Sequence, residues 1–150
     1  MKHLSLLVIL FLLVGCGKAV THVYSDDKID DFDKILTNIG DGNTKAYDLR
    51  SEEVCILGRI PGFFCVRTTN NLGEEKTLDM IFEHLTLLVG DDYQYLIILI
   101  DDDGDDSAYL ADLLVAAGYK NVHYFENGYD RYAEIKKDSF VPETGPCETC

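Results

Sequence analysis

Apolar positions in this chain alternate between two rhythms. Val20, His22 and Tyr24 occupy every second place, which predicts a short strand. Ile29, Phe32, Ile35, Leu36 and Ile39 then recur at helical spacing, with Ser25 as a cap, Asp26 and Asp27 in the first turn, and Gly40 as the stop. Asp41-Gly42-Asn43 reads as a turn. Residues 45–49 predict a strand, 51–57 a helical turn, 58–62 a loop holding Pro61, and 63–66 another strand. Residues 67–75 are mostly polar and read as loose. A helix is predicted over 78–88 with Ile81, Leu85 and Leu88 inward. Residues 95–100 are almost unbroken apolar, the pattern of a parallel strand buried on both faces. An acidic loop follows over 101–106. Ser107 is the expected cap of a helix that turns Leu110, Leu113, Leu114 and Ala117 inward and stops at Gly118. Residues 122–125 predict the last strand and 129–135 the last helix. Strand and helix alternate throughout, so the chain is expected to be α/β, with a small parallel central sheet and helices on both faces.

The N-terminus has a different pattern. Residues 4–14 are apolar except for Ser5, and Leu13-Val14-Gly15-Cys16 follows. The run is too short for a stable bilayer-spanning helix and has the layout of a signal peptide. The tetrad resembles the bacterial lipobox. That resemblance implies cleavage after residue 15 and lipidation of Cys16, with residues 16–19 as a linker. Acyl chains contribute about 0.8 kcal/mol per buried methylene, so a multiply acylated cysteine holds firmly to a membrane. The chain is therefore expected in a bacterial cell envelope. Gly17 after the cysteine implies the outer membrane, facing the periplasm, if the cell is Gram-negative.

Charge narrows the partners. The 150 residues carry 27 Asp and Glu against 13 Lys and Arg, a formal net charge of −14. That balance argues against nucleic acid and against lying flat on anionic lipid. Besides Cys16, the chain has Cys55, Cys65, Cys147 and Cys150. Outside the cytoplasm these can oxidise, and four cysteines allow three pairings. Cys55 and Cys65 flank the 58–62 loop and read equally as two buried hydrophobes or one disulfide.

The ordered landmarks carry a family resemblance. Asp48-Leu49-Arg50-Ser51-Glu52-Glu53, then Gly58-Arg59-Ile60-Pro61-Gly62, resembles the opening signature of the rhodanese-like domain. Arg59 stands in place of that family's usual histidine and Phe63 in place of its alanine. Ala117-Gly118-Tyr119-Lys120-Asn121-Val122 is similar to its helix-to-strand link, and residues 126–132, ending in Tyr132, to its last motif. The resemblance implies a rhodanese-like domain over residues 20–136, leaving 137–150 as a polar tail.

Active members of that family carry Cys-x-x-Gly-x-Arg-Ser after the central strand. Main-chain N–H groups at the following helix stabilise the thiolate, and the arginine holds an anionic sulfur donor. Here the loop reads Asp101-Asp102-Asp103-Gly104-Asp105-Asp106-Ser107. Gly104 and Ser107 match. Asp101 takes the nucleophile position and Asp106 the arginine position. A carboxylate cannot carry a persulfide, and two like charges 4 Å apart repel by about 4 kcal/mol near a surface. The expectation is a catalytically inactive domain that needs no cofactor. Its Asp101 should lie in the amide cradle with a depressed pKa. The remaining acids would present a face to a basic protein, a peptide or a divalent cation. Asp101, Asp103 and Asp105 alternate as calcium ligands do, but Gly104 falls too early and no glutamate closes the loop, so a metal site is not favoured.

Two other readings compete with this one. Residues 96–103 also resemble the first strand and acidic pair of a receiver domain, but too little chain follows for that architecture. Cys147 and Cys150 form a C-x-x-C pair able to shuttle between dithiol and disulfide, which makes a thiol-dependent sulfurtransferase or redox protein the alternative function. Glu148 between them raises the thiol pKa, which favours a structural disulfide or half a metal clip. Tyr93, Tyr95, Tyr124, Tyr129 and Tyr132 are candidates for the rim of a crevice at the carboxyl end of the sheet.

Overall fold

A computed structural model describes residues 19–146. The signal-peptide segment, Cys16, Cys147 and Cys150 lie outside the described residues. Five strands alternate with helices: β1 Thr21–Tyr24, α1 Ile29–Leu36, β2 Thr44–Ser51, α2 Glu52–Cys55, β3 Phe64–Arg67, α3 Leu78–Val89, β4 Leu96–Ile100, α4 Asp105–Ala116, β5 Val122–Phe125 and α5 Gly128–Lys136. The strands form one parallel sheet in the order β1-β5-β4-β2-β3.

The apolar run at β4 has the expected cause. It is the middle strand, and Ile97 to Ile100 are each fully buried. Ile97 and Leu99 enter one core with Tyr47, Leu49, Leu85 and Leu114, beneath α3 and α4. Ile98 and Ile100 enter the other with Phe32, Phe125 and Tyr132, beneath α1 and α5. A strand between two helical layers has no polar face, so alternation disappears. Burying each such side chain contributes about 1.5–3 kcal/mol.

Several helix details differ from the sequence expectation. Leu88 is 53% exposed and Ala117 is exposed, while Ala111 is buried instead. Both misplaced residues lie in the last turn of their helices or just beyond it, where the chain leaves the sheet. Residues 67–75 carry their own order: Thr69 bridges Glu75, and the Asn70 side chain accepts from the Leu72 and Glu74 amides. The polar tail is docked as far as Gly145. Phe140 packs on Tyr129 and Tyr132, and Arg59 pairs with Glu143 through both main-chain bonds. Cys55 and Cys65 form a disulfide of sequence separation 10, a closure that restricts the unfolded chain by about 3 kcal/mol.

His123 sits on β5, 5% exposed, between two neutral partners. The Tyr24 hydroxyl lies 2.9 Å from Nδ1, and Nε2 lies 2.7 Å from Asn121 Oδ1. The His22 ring stacks on it at 4.4 Å. Burial first, then His22, pushes its pKa down to about 4. The unfolded chain takes up this proton near pH 6.5, well before the folded one. This contribution is therefore complete above about pH 6.5 and is lost as pH falls towards about 4, worth roughly 3 kcal/mol at most. Urea unfolding followed across that range should show a shallower pH slope for His123→Gln than for wild type. Equal slopes would mean that His123 does not carry the effect.

Candidate functional site

The middle strand ends at Ile100, and α4 begins at Asp105. Between them the chain folds around the side chain of Asp101, which is 2% exposed. Its Oδ1 accepts from the Gly104 amide at 3.0 Å and the Ser107 hydroxyl at 2.7 Å. Its Oδ2 accepts from the Asp106 amide at 2.9 Å and the Ser107 amide at 3.3 Å. The unpaired amides of a helix N-terminus are thus satisfied by a carboxylate at the foot of the same loop.

The cap differs from the expected one. Gly104 occupies the N-cap position with φ 97°, and Ser107 lies inside the helix with its hydroxyl turned to Asp101. The pKa of Asp101 also moves opposite to expectation. Burial pushes it up, and the hydrogen bonds from Ser107, Asp106 and Gly104 oppose that rise without cancelling it.

A second loop closes over the first. A Cβ on Gly104 would lie 1.9 Å from the Glu126 carbonyl oxygen, and one on Gly128 would lie 2.1 Å from the Asp102 carbonyl oxygen. The Tyr129 amide donates to the Asp101 carbonyl at 2.8 Å. The 126–129 motif therefore presses main chain against main chain, and only glycine fits at both contacts.

Beside these loops, β2 delivers a buried ion pair. Arg50 Nη2 donates to Asp48 Oδ2 at 2.6 Å and to the Gly58 carbonyl at 2.6 Å, and its guanidinium lies 3.6 Å from the Tyr129 ring centre. Arg50 is 3% exposed and Asp48 fully buried, so losing either partner would strand a charge at a cost of about 3–5 kcal/mol. The signature residues Asp48, Arg50 and Gly58 are thus one hydrogen-bonded unit under Tyr129.

Arg59 takes no part in that unit. It is 2% exposed, pairs with Glu143 Oε1, donates to the Gly145 carbonyl at 2.8 Å, and lies 3.9 Å from Cys65 Sγ. Glu143 also accepts from the Gly62 amide at 2.8 Å, the main reason its pKa falls. Gly62, at φ 82°, lies against Ile39, and Pro61 is exposed. The arginine in place of histidine therefore ties the 58–62 loop to the C-terminal strap. Nothing in the sequence spacing joins residue 59 to residue 143.

The acidic loop divides into two parts. Asp101 is buried, while Asp102, Asp103 and Asp105 are exposed. Asp106 pairs with Arg67 at 2.7 Å. Asp103 Oδ1 accepts from the Asp105 amide at 3.3 Å, closing a local turn. Burial pushes the Asp102 carboxyl up, and Arg50 opposes it. Among the described residues, no group of three or more His, Cys, Asp or Glu is placed to hold a metal ion. Of the five tyrosines expected at the crevice, Tyr129 stands there. Tyr95 precedes β4 at the opposite end of the sheet, bonded to the Gly42 carbonyl, and Tyr132 is in the core. Tyr93 packs near Tyr119, and Tyr124 lies within β5.

Comparison with known proteins places this geometry. The model of the rhodanese-like domain matches residues 31–135. The solution structure of the rhodanese-like domain from an Anabaena sp. protein is similar, with a TM-score of 0.56 at 12% identity, covering 89% of this chain and 83% of that one. The 3-mercaptopyruvate sulfotransferase SseA from Escherichia coli gives a TM-score of 0.47 at 16% identity, over 86% of this chain and 52% of that one. No curated protein matches. Among the described residues, no helix is long and apolar enough to cross a membrane. The chain belongs to the rhodanese-like family.

Ser107→Ala tests the Asp101 cradle. Removing a hydroxyl donor from a buried carboxylate should cost about 2 kcal/mol at neutral pH. The missing bond favours the charged form, so the loss should shrink as the pH falls through the Asp101 titration. Urea unfolding of both proteins at descending pH measures this; a pH-independent difference would contradict it.

Proposed function

We propose that this chain, as a member of the rhodanese-like family, has no sulfurtransferase activity and serves as a binding and regulatory module. Asp101 carries the reading. By resemblance it stands where sulfur-transferring members hold the cysteine, and its side chain lacks sulfur. The four donors around it, three amides and the Ser107 hydroxyl, are engaged by the chain's own anion. An incoming anion such as thiosulfate would have to displace a buried carboxylate and approach Asp102, Asp103 and Asp105. At the arginine position, Asp106 engages Arg67, a nearby cation, rather than leaving it free for a donor.

The lipobox-like residues 13–16 support tethering through Cys16 at a bacterial envelope, on the periplasmic face of the outer membrane in a Gram-negative cell. A domain held there presents the exposed Asp102, Asp103 and Asp105 to a cationic partner, a basic protein or peptide being the best match in charge. The second reading is a thiol-dependent enzyme. It draws on the docking of Gly145 to Arg59, because Arg59 also lies near the Cys65 sulfur and Cys147 follows Gly145 closely in the sequence.

Two measurements separate these readings. The purified full chain should give no thiosulfate:cyanide turnover above background. Turnover that survives replacement of Cys55, Cys65, Cys147 and Cys150 by serine would overturn the inactive cradle; turnover lost on Cys147→Ser alone would select the thiol enzyme. A lysine-rich peptide should bind wild type at low ionic strength and roughly tenfold more weakly to a triple Asp102→Asn, Asp103→Asn, Asp105→Asn variant, by fluorescence anisotropy. Equal affinity would remove the acidic face as the binding surface.

A further inference from the structure

Strand β3 is an edge of the sheet, and α3 covers it incompletely. Phe64 and Val66 remain half-buried there. A cavity of about 230 Å³ results, lined by Lys45, Tyr47, Phe64, Val66, Lys76 and His84. Its floor is aromatic and aliphatic: Tyr47 meets Phe64 edge-to-face at 6.2 Å. The cations stand out in a chain of net charge −14. Arg50, Arg59, Arg67 and Arg131 each pair with a carboxylate, as do Lys34 and Lys136. Five lysines form no ion pair among the described residues; Lys28, Lys120 and Lys137 are exposed, whereas Lys45 and Lys76 line this cleft. Both are half-buried, and Lys45 Nζ lies 5.2 Å from the Phe64 ring centre.

Tyr47 supplies a further donor. Its side chain is 4% exposed, and its hydroxyl makes no hydrogen bond to a described residue. Burial pushes its pKa up to about 12, so the hydroxyl keeps its proton. The hydroxyl keeps access to solvent at the wall of the cleft, where a bound acceptor can take the place of water. Two lysines without carboxylate partners and an aromatic floor describe the complement of one ligand class. Its polar end is an anion and its body is apolar and small.

We propose that the cleft between β3 and α3 binds a small carboxylate with an apolar body, its charge held by Lys45 and Lys76 and its body on Phe64 and Val66. A 150 Å³ apolar cavity holds benzene, so this one accommodates roughly nine non-hydrogen atoms. The site is separate from the acidic loop, and its ligand carries the opposite charge to the partner proposed there.

Benzoate and heptanoate have that size, one aromatic and one aliphatic. Benzamide matches benzoate in shape without the charge. Titrating each into the ¹⁵N-labelled full chain should give saturable amide shifts confined to β3, the facing turns of α3 and Lys45 for the carboxylates. Benzamide should bind roughly tenfold more weakly, the loss expected for one charge-assisted contact. The double variant Lys45→Gln, Lys76→Gln changes only half-exposed side chains and should erase that difference. Leu88→Trp, at an exposed position that lines the cavity, should weaken all three ligands. Absence of saturable shifts at these residues, equal binding of benzoate and benzamide, or a preference that survives the double variant would each overturn the proposal.

Discussion

The amides at the start of α4 need an acceptor, and the structure turns on which one they find. The carboxylate that follows the middle strand takes three of them, while the Asp105 amide turns to Asp103. Asp101 is held by four donors from three residues, and the loop from 101 to 107 is the ring they close. In water such a carboxylate would gain little. Buried, it costs desolvation and recovers part of it through bonds that are stronger in a low dielectric. The upward pKa of Asp101 says that desolvation still weighs more than those bonds. The arrangement thus fixes the loop's shape at the expense of some stability.

The rest of the carboxyl end is built on that ring. With the loop fixed, the carbonyls of Asp102 and Glu126 stand where only Gly128 and Gly104 can face them. Gly128 sets the start of α5, and α5 carries Tyr129 over the Arg50 guanidinium. Arg50 in turn holds Asp48 and the Gly58 carbonyl, which anchors the 58–62 loop. That loop presents Arg59 to Glu143 and Gly145, so the strap is the last member of the chain of contacts. A change at Asp101 is therefore expected to reach beyond its own loop, because each layer rests on main chain placed by the previous one.

Much of this was legible in the sequence. The order of strands and helices along the chain and the two-sided burial of β4 follow from local pattern, and the Asp48–Arg50 signature from motif. The inward carboxylate of Asp101 was readable through the family resemblance, which places it at the position that faces the helix amides. The direction of its pKa was not readable, since it depends on burial that only the packed 126–129 loop creates. Ser107 looked like a cap because serine before an apolar helix usually is one, yet Gly104 at positive φ starts the helix earlier. The strap was invisible for a different reason. Its contacts join residues 84 and 86 positions apart in sequence through one buried arginine, and residues 137–146 have a polar composition that looks like any exposed tail.

Charge segregation makes the separate surfaces compatible. With a net charge of −14, stray cations would be expected to find carboxylates anywhere on the molecule. Arg67 does so with Asp106, which removes one negative charge from the loop's field and leaves Asp102, Asp103 and Asp105 as its exposed part. Lys45 and Lys76 form no ion pair among the described residues, and the cleft they share is lined by Tyr47, Phe64 and Val66 rather than by acids. An apolar floor keeps the counter-charge away and lowers the local dielectric, so each lysine there exerts more force on an approaching anion than a surface lysine would. A domain whose α4 amides are taken by its own carboxylate thus offers, in the proposed cleft on the flank of its sheet, a separate place for anions. Because both surfaces depend on charge, salt should weaken both. The cleft should weaken less, since partly buried pairs are screened less than exposed ones.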